Sequence, residues 1–348
     1  MINNFNREGK ILPSTVIFYK YLIKGQTMKK LLAVLLLVPI LAFAWEPTKP
    51  ITVLIGNQPG SGNEIGFRAI SAIVMRDNPK ANFIIELKPG ADSVIAMNML
   101  YDARPDGYTI AIPSYMSTFV TNDIWQKNQK KFAYNSFSNV MGMGKSPLCI
   151  VANPKSKINT VPELVDYVQH TTKPVTVAIG GGAHRMTFEY FMYIAHGNKE
   201  LVKTSQFPGP LQAVTATASD AGFEFGIMPV AIAKPLIDGG KVKLIGVTGE
   251  HRVKAYPRVE PIVINGKHID VFAAWALILP PGTPSDIVAW YQRNFTPALE
   301  SAEIKKYYDD NLIFLDKREL TPAGFANGIE KLRATWIPLS QRVDLLKE

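Results

Sequence analysis

Residues 50–74 place the tightest restriction on how this chain can fold. They read as an apolar, β-branched run at 51–55, then Gly56-Asn57-Gln58-Pro59-Gly60-Ser61-Gly62-Asn63-Glu64, then apolar positions at helical spacing. The run suits a strand buried on both faces. The spacing predicts a helix that turns Ile65, Ala69, Ile70, Ile73 and Val74 toward a core. A strand passing through a glycine loop into a helix leaves unpaired backbone N–H groups aimed at one point, backed by the positive end of the helix dipole. Such a loop holds an anion without any catalytic side chain. It also suits an ordinary strand-to-helix turn of an α/β domain, so the loop alone leaves both readings open.

Apolar residues make up 47% and charged residues 19%, a balance that supplies a globular core rather than a disordered chain. The formal charge of +9 overstates how basic the working protein is. Residues 1–44 hold six positive charges and one negative, so removing them leaves +9 − 5 = +4. That mild bias fits an anionic small ligand or solubility and argues against nucleic acid as a partner. The removal itself is expected. Met28-Lys29-Lys30, the apolar run 31–41 and Ala42-Phe43-Ala44 are the three parts of a secretory signal, with cleavage before Trp45. Translation is then expected to start at Met28, which leaves residues 1–27 without a role. No cysteine follows the apolar run, so no lipid anchor is expected. Cys149, the only cysteine, lies in an apolar run and reads as a small core residue that forms no intrachain disulfide.

Strand, loop and helix alternate along the rest of the chain. Strands are predicted at 82–87, 108–112, 148–152, 175–179, 241–248 and 273–279, with helices at 94–103, 186–195, 285–299, 301–308 and 321–345. Thr160 with Glu163 three residues on has capping-box spacing and marks another helix start. This α/β alternation calls for parallel strands with ligand loops at their carboxyl ends. The loops starting near Gly56, Lys88 and Pro113 are expected to converge on one edge. A second glycine loop, Gly180-Gly181-Gly182-Ala183-His184, again joins a strand to a helix, and further breaks fall at 206–210 and 226–229.

An enzyme is the first rival reading. Gly60-x-Gly62 running to Gly66 has one residue too many for a dinucleotide fingerprint, although Glu86 sits where a ribose-binding acid would. Gly144-Lys145-Ser146 lacks the earlier glycine of a phosphate-binding loop, since Asn139 stands there. There is no His-Glu-x-x-His, Gly-x-Ser-x-Gly or Cys-x-x-Cys. Of the five histidines only His184 adjoins a glycine loop, where a solvent-facing helix start is the alternative to a ligand role. Trp275 reads as core or interlobe packing.

Several motifs then line up in order. Lys49-Pro50-Ile51, Pro59-Gly60-Ser61-Gly62-Asn63-Glu64, Leu87-Lys88-Pro89-Gly90-Ala91, Pro105-Asp106-Gly107-Tyr108-Thr109, the segment 239–248, Trp275 and Pro280-Pro281-Gly282-Thr283-Pro284 all take part. Together they resemble the Bug family, the periplasmic solute-binding receptors of tripartite tricarboxylate transporters, over essentially all of residues 45–348. The resemblance implies a type II-like, two-lobed periplasmic-binding-protein fold of the Venus-flytrap kind, with the ligand cleft between the lobes. The lobes would comprise residues 45–147, 148–271 and a return segment 272–348 belonging to the first. It implies a periplasmic, non-enzymatic, cofactor-free and monomeric receptor. Its partners would be a small organic acid and the transporter's membrane permease subunits; a solute sensor feeding a signalling partner is the alternative.

Carried over by position, the ligand contacts would be Gly60, Ser61, Gly62 and Asn63 from the first loop and Ser114, Tyr115 and Ser117 from the third. The second lobe would add Gly181, Gly182, Ala183, His184 and Phe207. Three departures bear on the ligand. The family's loop Asp is Glu64 here; its Pro-Tyr-Lys-Gly is Gln206-Phe207-Pro208-Gly209; its Asp-Asn before a later Pro is Ile227-Met228. The losses of polarity point to a solute less polar than citrate, a monocarboxylate or aromatic acid.

Overall fold

Nine strands join one mixed sheet in the computed structural model of the chain, which describes residues 45–342. The leader, its start at Met28 and the role of residues 1–27 lie outside the described residues. The first half of the sheet is β1 (Ile51–Ile55), β2 (Phe83–Leu87) and β3 (Thr109–Ala111), all parallel, with β1 in the middle. Helix α1 (Gly62–Asp77) follows β1, and α2 (Val94–Tyr101) follows β2. After β3 the chain makes a π-wound turn (Ser117–Thr121) and a one-turn helix, α3 (Asn122–Trp125).

β4 (Ser138–Ala152) then runs for 15 residues and belongs to both halves. Up to Pro147 it pairs antiparallel with β11 (Phe272–Leu279); from Leu148 it is flanked by β7 (Phe225–Pro229) and β8 (Lys243–Val247). The second half repeats the opening theme with β5 (Val175–Ile179) between β7 and β6 (Val202–Gln206), all parallel. Its helices are α4 (Val161–His170), α5 (Gly182–Ile194), α6 (Pro210–Ala218) and α7 (Val230–Asp238). A small hairpin of β9 (Val263–Ile264) and β10 (Lys267–His268) precedes β11. Helices α8 (Ser285–Glu300), α9 (Ala302–Asp310) and α10 (Pro322–Arg342) follow it.

Side-chain alternation explains why both halves are covered on two faces. Ile51, Val53 and Ile55 point to one side, into a core with Phe67, Trp290 and Phe295, while Leu54 points to the other, against Met97 and Leu100. In the second half Val175, Val177 and Ile179 meet Met186, Phe188 and Phe191, and Ala178 meets Ala213 and Val214. Each such side chain removed from water contributes about 1.5–3 kcal/mol. Trp45 closes the first core from outside, edge-on to Tyr108 and Trp290 and stacked on Tyr291.

Two sequence expectations need correction. The inward stripe of α1 is Gly66, Phe67, Ile70, Ile73 and Val74, whereas Ile65 is 43% exposed. The rotation follows from Trp275, whose ring lies so close that a Cβ on Gly66 would sit 3.0 Å from it. The strand expected at 148–152 is only the end of a much longer one. Residues 139–146 show no alternation because both of their faces are buried, under α10 on one side and beside Tyr308 and Ile313 on the other.

Two elements tie the halves together beside the crossing strands. Met116 and Val120 of the turn after β3 sit in the second core with Phe188. Helix α10 buries Phe325 and Ile329 in the first core and Trp336 in the second, where Trp336 stands edge-on to Tyr190. At the crossing, Lys145 Nζ lies 2.6 Å from Glu319 Oε1 and 3.5 Å from Asp316 Oδ2, and the Tyr115 hydroxyl donates to Glu319 Oε2 at 2.8 Å.

Candidate functional site

The carboxyl ends of β1, β2 and β3 lie side by side, so their loops emerge together. The first two are locked: a Cβ on Gly56 would fall 2.4 Å from Ser93 Cβ and 2.6 Å from its Cα, so only glycine lets the second loop pass. The third is joined to the first by Asn63 Nδ2 donating to the Ile112 carbonyl at 3.1 Å. Ser61, in extended conformation at the start of α1, makes no capping bond; its hydroxyl oxygen is buried and has no partner. Above it the first-turn amides of Gly62 and Asn63 carry the positive end of a 16-residue helix.

Glu64 does not reach outward. Its Oε2 accepts the Gly60 amide at 2.8 Å, and its Oε1 accepts from Arg68 Nε and Nη2 at 2.9 and 2.8 Å. The extra methylene lets the carboxylate fold back onto its own loop, so the Gly60 N–H is already spent.

The second glycine loop approaches the first through residues 209–211. Gly180 packs on Pro210, where a Cβ would come within 2.6 Å of backbone; Gly209 faces Gln58 of the first loop, and Gly60 faces Leu211. Helix α5 begins inside the loop, at Gly182, four residues ahead of its expected start. His184, in its first turn, is only 7% exposed, and its Nδ1 has no partner. Burial lowers its pKa to about 4, so the ring is neutral near pH 7. Histidine here is neither solvent-facing nor charged.

Asp92 spans the gap from the other side. Its Oδ1 accepts from Ser117 Oγ at 3.0 Å and its Oδ2 from Thr121 Oγ1 at 2.9 Å, and it also takes the backbone N–H of Gly182. Burial raises its pKa, and the Thr121, Ser117 and Gly182 bonds oppose that rise.

The expected contacts therefore divide. The loop that carries Ser61, Gly62 and Asn63 lies beside Leu211 and Gly209, and Gly182 of the loop that carries Gly181, Ala183 and His184 lies against Asp92, which also holds Ser117. Ser114 pairs with Trp275 as an isolated bridge. Tyr115 is committed to Glu319 and packs on Phe325, and Phe207 is half-buried against Phe223. Ile227 and Met228 are fully buried in β7, so their lost polarity belongs to the core and does not report on the ligand. Sequence reasoning missed Asp92, Thr121, Thr118 and Asn122; the last two are fully buried with unpartnered polar atoms. The visible signal for Asp92 was a carboxylate in a Pro-Gly loop at a strand end.

Two basic side chains near these loops are already paired: Arg68 is turned to Glu64, and Lys88 pairs with Glu86 at 3.1 Å. Among the described residues no group of three or more His, Cys, Asp or Glu is placed to hold a metal, and no helix is long and apolar enough to cross a membrane. A separate groove of about 600 Å³, beside Pro147, Phe272 and Phe314, shares no residue with the glycine loops.

Residues 67–314 match the family profile described as "Tripartite tricarboxylate transporter family receptor". The chain belongs to that family. Protein BugT of Bordetella pertussis is 23% identical to it over 264 residues, covering 74% of this chain and 78% of BugT. The structure of the periplasmic binding protein BugD superposes with a TM-score of 0.77 at 19% identity, covering 87% of this chain and all of BugD. A Rhodopseudomonas palustris protein with adipate superposes with a TM-score of 0.78 at 17% identity, covering 86% and 98%. As a member of the tripartite tricarboxylate transporter receptors, the chain has the two-lobed binding-protein fold and is a solute-binding protein rather than an enzyme.

Proposed function

We propose that the protein is exported and captures a small carboxylate-bearing metabolite between its lobes, then delivers it to the membrane subunits of a tripartite tricarboxylate-type transporter. One arrangement supports the reading: two glycine loops, each opening a long helix, approach one another through Gly60 beside Leu211, Gly209 beside Gln58 and Gly180 on Pro210, and each carries a buried, unpartnered polar atom, Ser61 Oγ in one and His184 Nδ1 in the other. A carboxylate is suited to that gap because first-turn amides and hydroxyls supply donors already oriented in a desolvated place. Binding would shift the open–closed equilibrium by the solute's preference for the closed form. We assign the lobes as residues 45–147 with most of 272–342, and 148–271. Cleavage before Trp45 would leave an N-terminal residue already packed into the first core, which suits export as a monomer.

Isothermal titration with mono-, di- and tricarboxylates, alongside native mass spectrometry of the protein as purified from the periplasm, tests this reading. Micromolar or tighter binding of a carboxylate is expected. A protein that binds no carboxylate, or that turns one over, sinks it.

A further inference from the structure

The second cradle is not left for the solute. Residues 91–93 form a run of three non-glycine residues in the left-handed region, with φ of 46°, 49° and 75°. L-residues avoid that region, and a succession of three is costly. The run persists because it delivers the Asp92 carboxylate across the gap to three donors, the hydroxyls of Ser117 and Thr121 and the N–H of Gly182. The receiving loop is cut to fit. A Cβ on Gly182 would lie 2.6 Å from Asp92 Oδ2, and one on Gly181 would lie 3.8 Å from Oδ1. The two glycines of α5's amino end therefore admit a carboxylate, and the carboxylate they admit belongs to the protein itself. In the opposing first-lobe cradle the Glu64 carboxylate takes the Gly60 N–H and pairs with Arg68, and it takes neither the Gly62 nor the Asn63 amide.

We infer that Asp92 acts as a built-in second carboxylate, filling the second-lobe cradle so that the receptor selects solutes carrying one carboxylate and rejects dicarboxylates. The inference rests on the receptor reading above and narrows its ligand. The solute's single carboxylate goes to the first-turn amides of Gly62 and Asn63, and its remaining end, uncharged, meets the Asp92 side of the gap. A second carboxylate there would face Asp92 at close range with its best donors already taken, and like charges so placed are strongly disfavoured. Selectivity then comes from an unfavourable element as much as from an attractive one.

Matched pairs that differ only in the second carboxylate isolate the effect: hexanoate against adipate, butyrate against succinate, benzoate against terephthalate. Titrated into the full mature protein, the monocarboxylate of the tightest pair should bind at least tenfold better than its partner. Asp92→Gly should retain the fold by circular dichroism, because glycine accepts the left-handed backbone, and should improve the dicarboxylate at least tenfold relative to its monocarboxylate. Asp92→Asn, which removes the charge but keeps the shape, should move the ratio in the same direction. Equal binding within every pair by the natural protein, or an unchanged ratio in both variants, overturns the inference while leaving the receptor reading intact. Binding of neither class overturns both.

Discussion

Substituting Gly182 by Ala puts one methyl group where the lobes meet. Its Cβ would stand 2.6 Å from Asp92 Oδ2 and 2.7 Å from Thr121 Oγ1, against an ordinary C···O approach of about 3.3 Å. Asp92 cannot retreat easily, since Ser93 next to it is wedged against Gly56. The closed form must therefore give up one or two of the bonds at the carboxylate. Hydrogen bonds to a charged group are worth about 1.5–3 kcal/mol each, so closure loses about 1.5–6 kcal/mol. That corresponds to a fall of at least about tenfold in the closed-to-open ratio and in apparent affinity. Within its own lobe the methyl group costs little, as alanine is the best helix former. Small-angle scattering should show a larger radius of gyration that solute no longer reduces, and titration should show the affinity loss with unchanged circular dichroism. Adding Asp92→Gly should restore part of the loss, because one side of the clash is gone, and the two changes should be non-additive. A Gly182→Ala protein that binds and compacts like the natural one would refute the reasoning.

Three further outcomes are expected. With His184 held neutral at a pKa of about 4, the unfolded chain takes up a proton between pH 6.5 and 4 that the native protein does not. Its contribution is whole above pH 6.5 and falls by up to ~3 kcal/mol as the pH drops through that window. Urea denaturation across the window should show a shallower slope for His184→Gln, and parallel slopes would contradict a buried neutral imidazole. Lys145→Met leaves near-buried Glu319 without its cation, while Asp316 keeps Arg318, and should cost about 3–5 kcal/mol in urea; a loss below about 1 kcal/mol would show the cluster to be solvated. Cys149, fully buried and with its thiol pKa raised by burial, should react with a thiol reagent only as fast as the protein unfolds; prompt native labelling would place it at the surface instead.

The repeating local unit was legible because it is encoded over short distances. The 51–55 run, the glycine loops and the helical spacing after them need no tertiary information; β1 and β5 fall where that pattern puts them and a helix follows each, the second starting four residues early at Gly182. Thr160 and Glu163 also act locally, with one shift: Glu163 N–H reaches Thr160 Oγ1, but the Glu163 carboxylate takes the Asn159 amide rather than that of Thr160. What the pattern could not show depends on partners far along the chain. The face of α1 was misjudged because Trp275, some two hundred residues away in sequence, decides where Gly66 must point. Tyr115 looked like a loop residue facing ligand until Glu319 supplied a nearer partner. Asp92 escaped notice since its meaning lies across the gap, in a glycine whose missing side chain makes room for it.

The last helix has a bearing on how far the protein can gape. With Phe325 rooted in one core and Trp336 in the other, α10 works as a strut pinned at both ends. A wide swing would have to pull one anchor free. Uncovering an indole of some 150–250 Å² would cost about 4–6 kcal/mol at ~25 cal/mol per Å², a large part of the roughly 8 kcal/mol that micromolar binding returns. Such a strut would favour a shallow twist along the strands that pass from one half to the other over a hinge thrown wide.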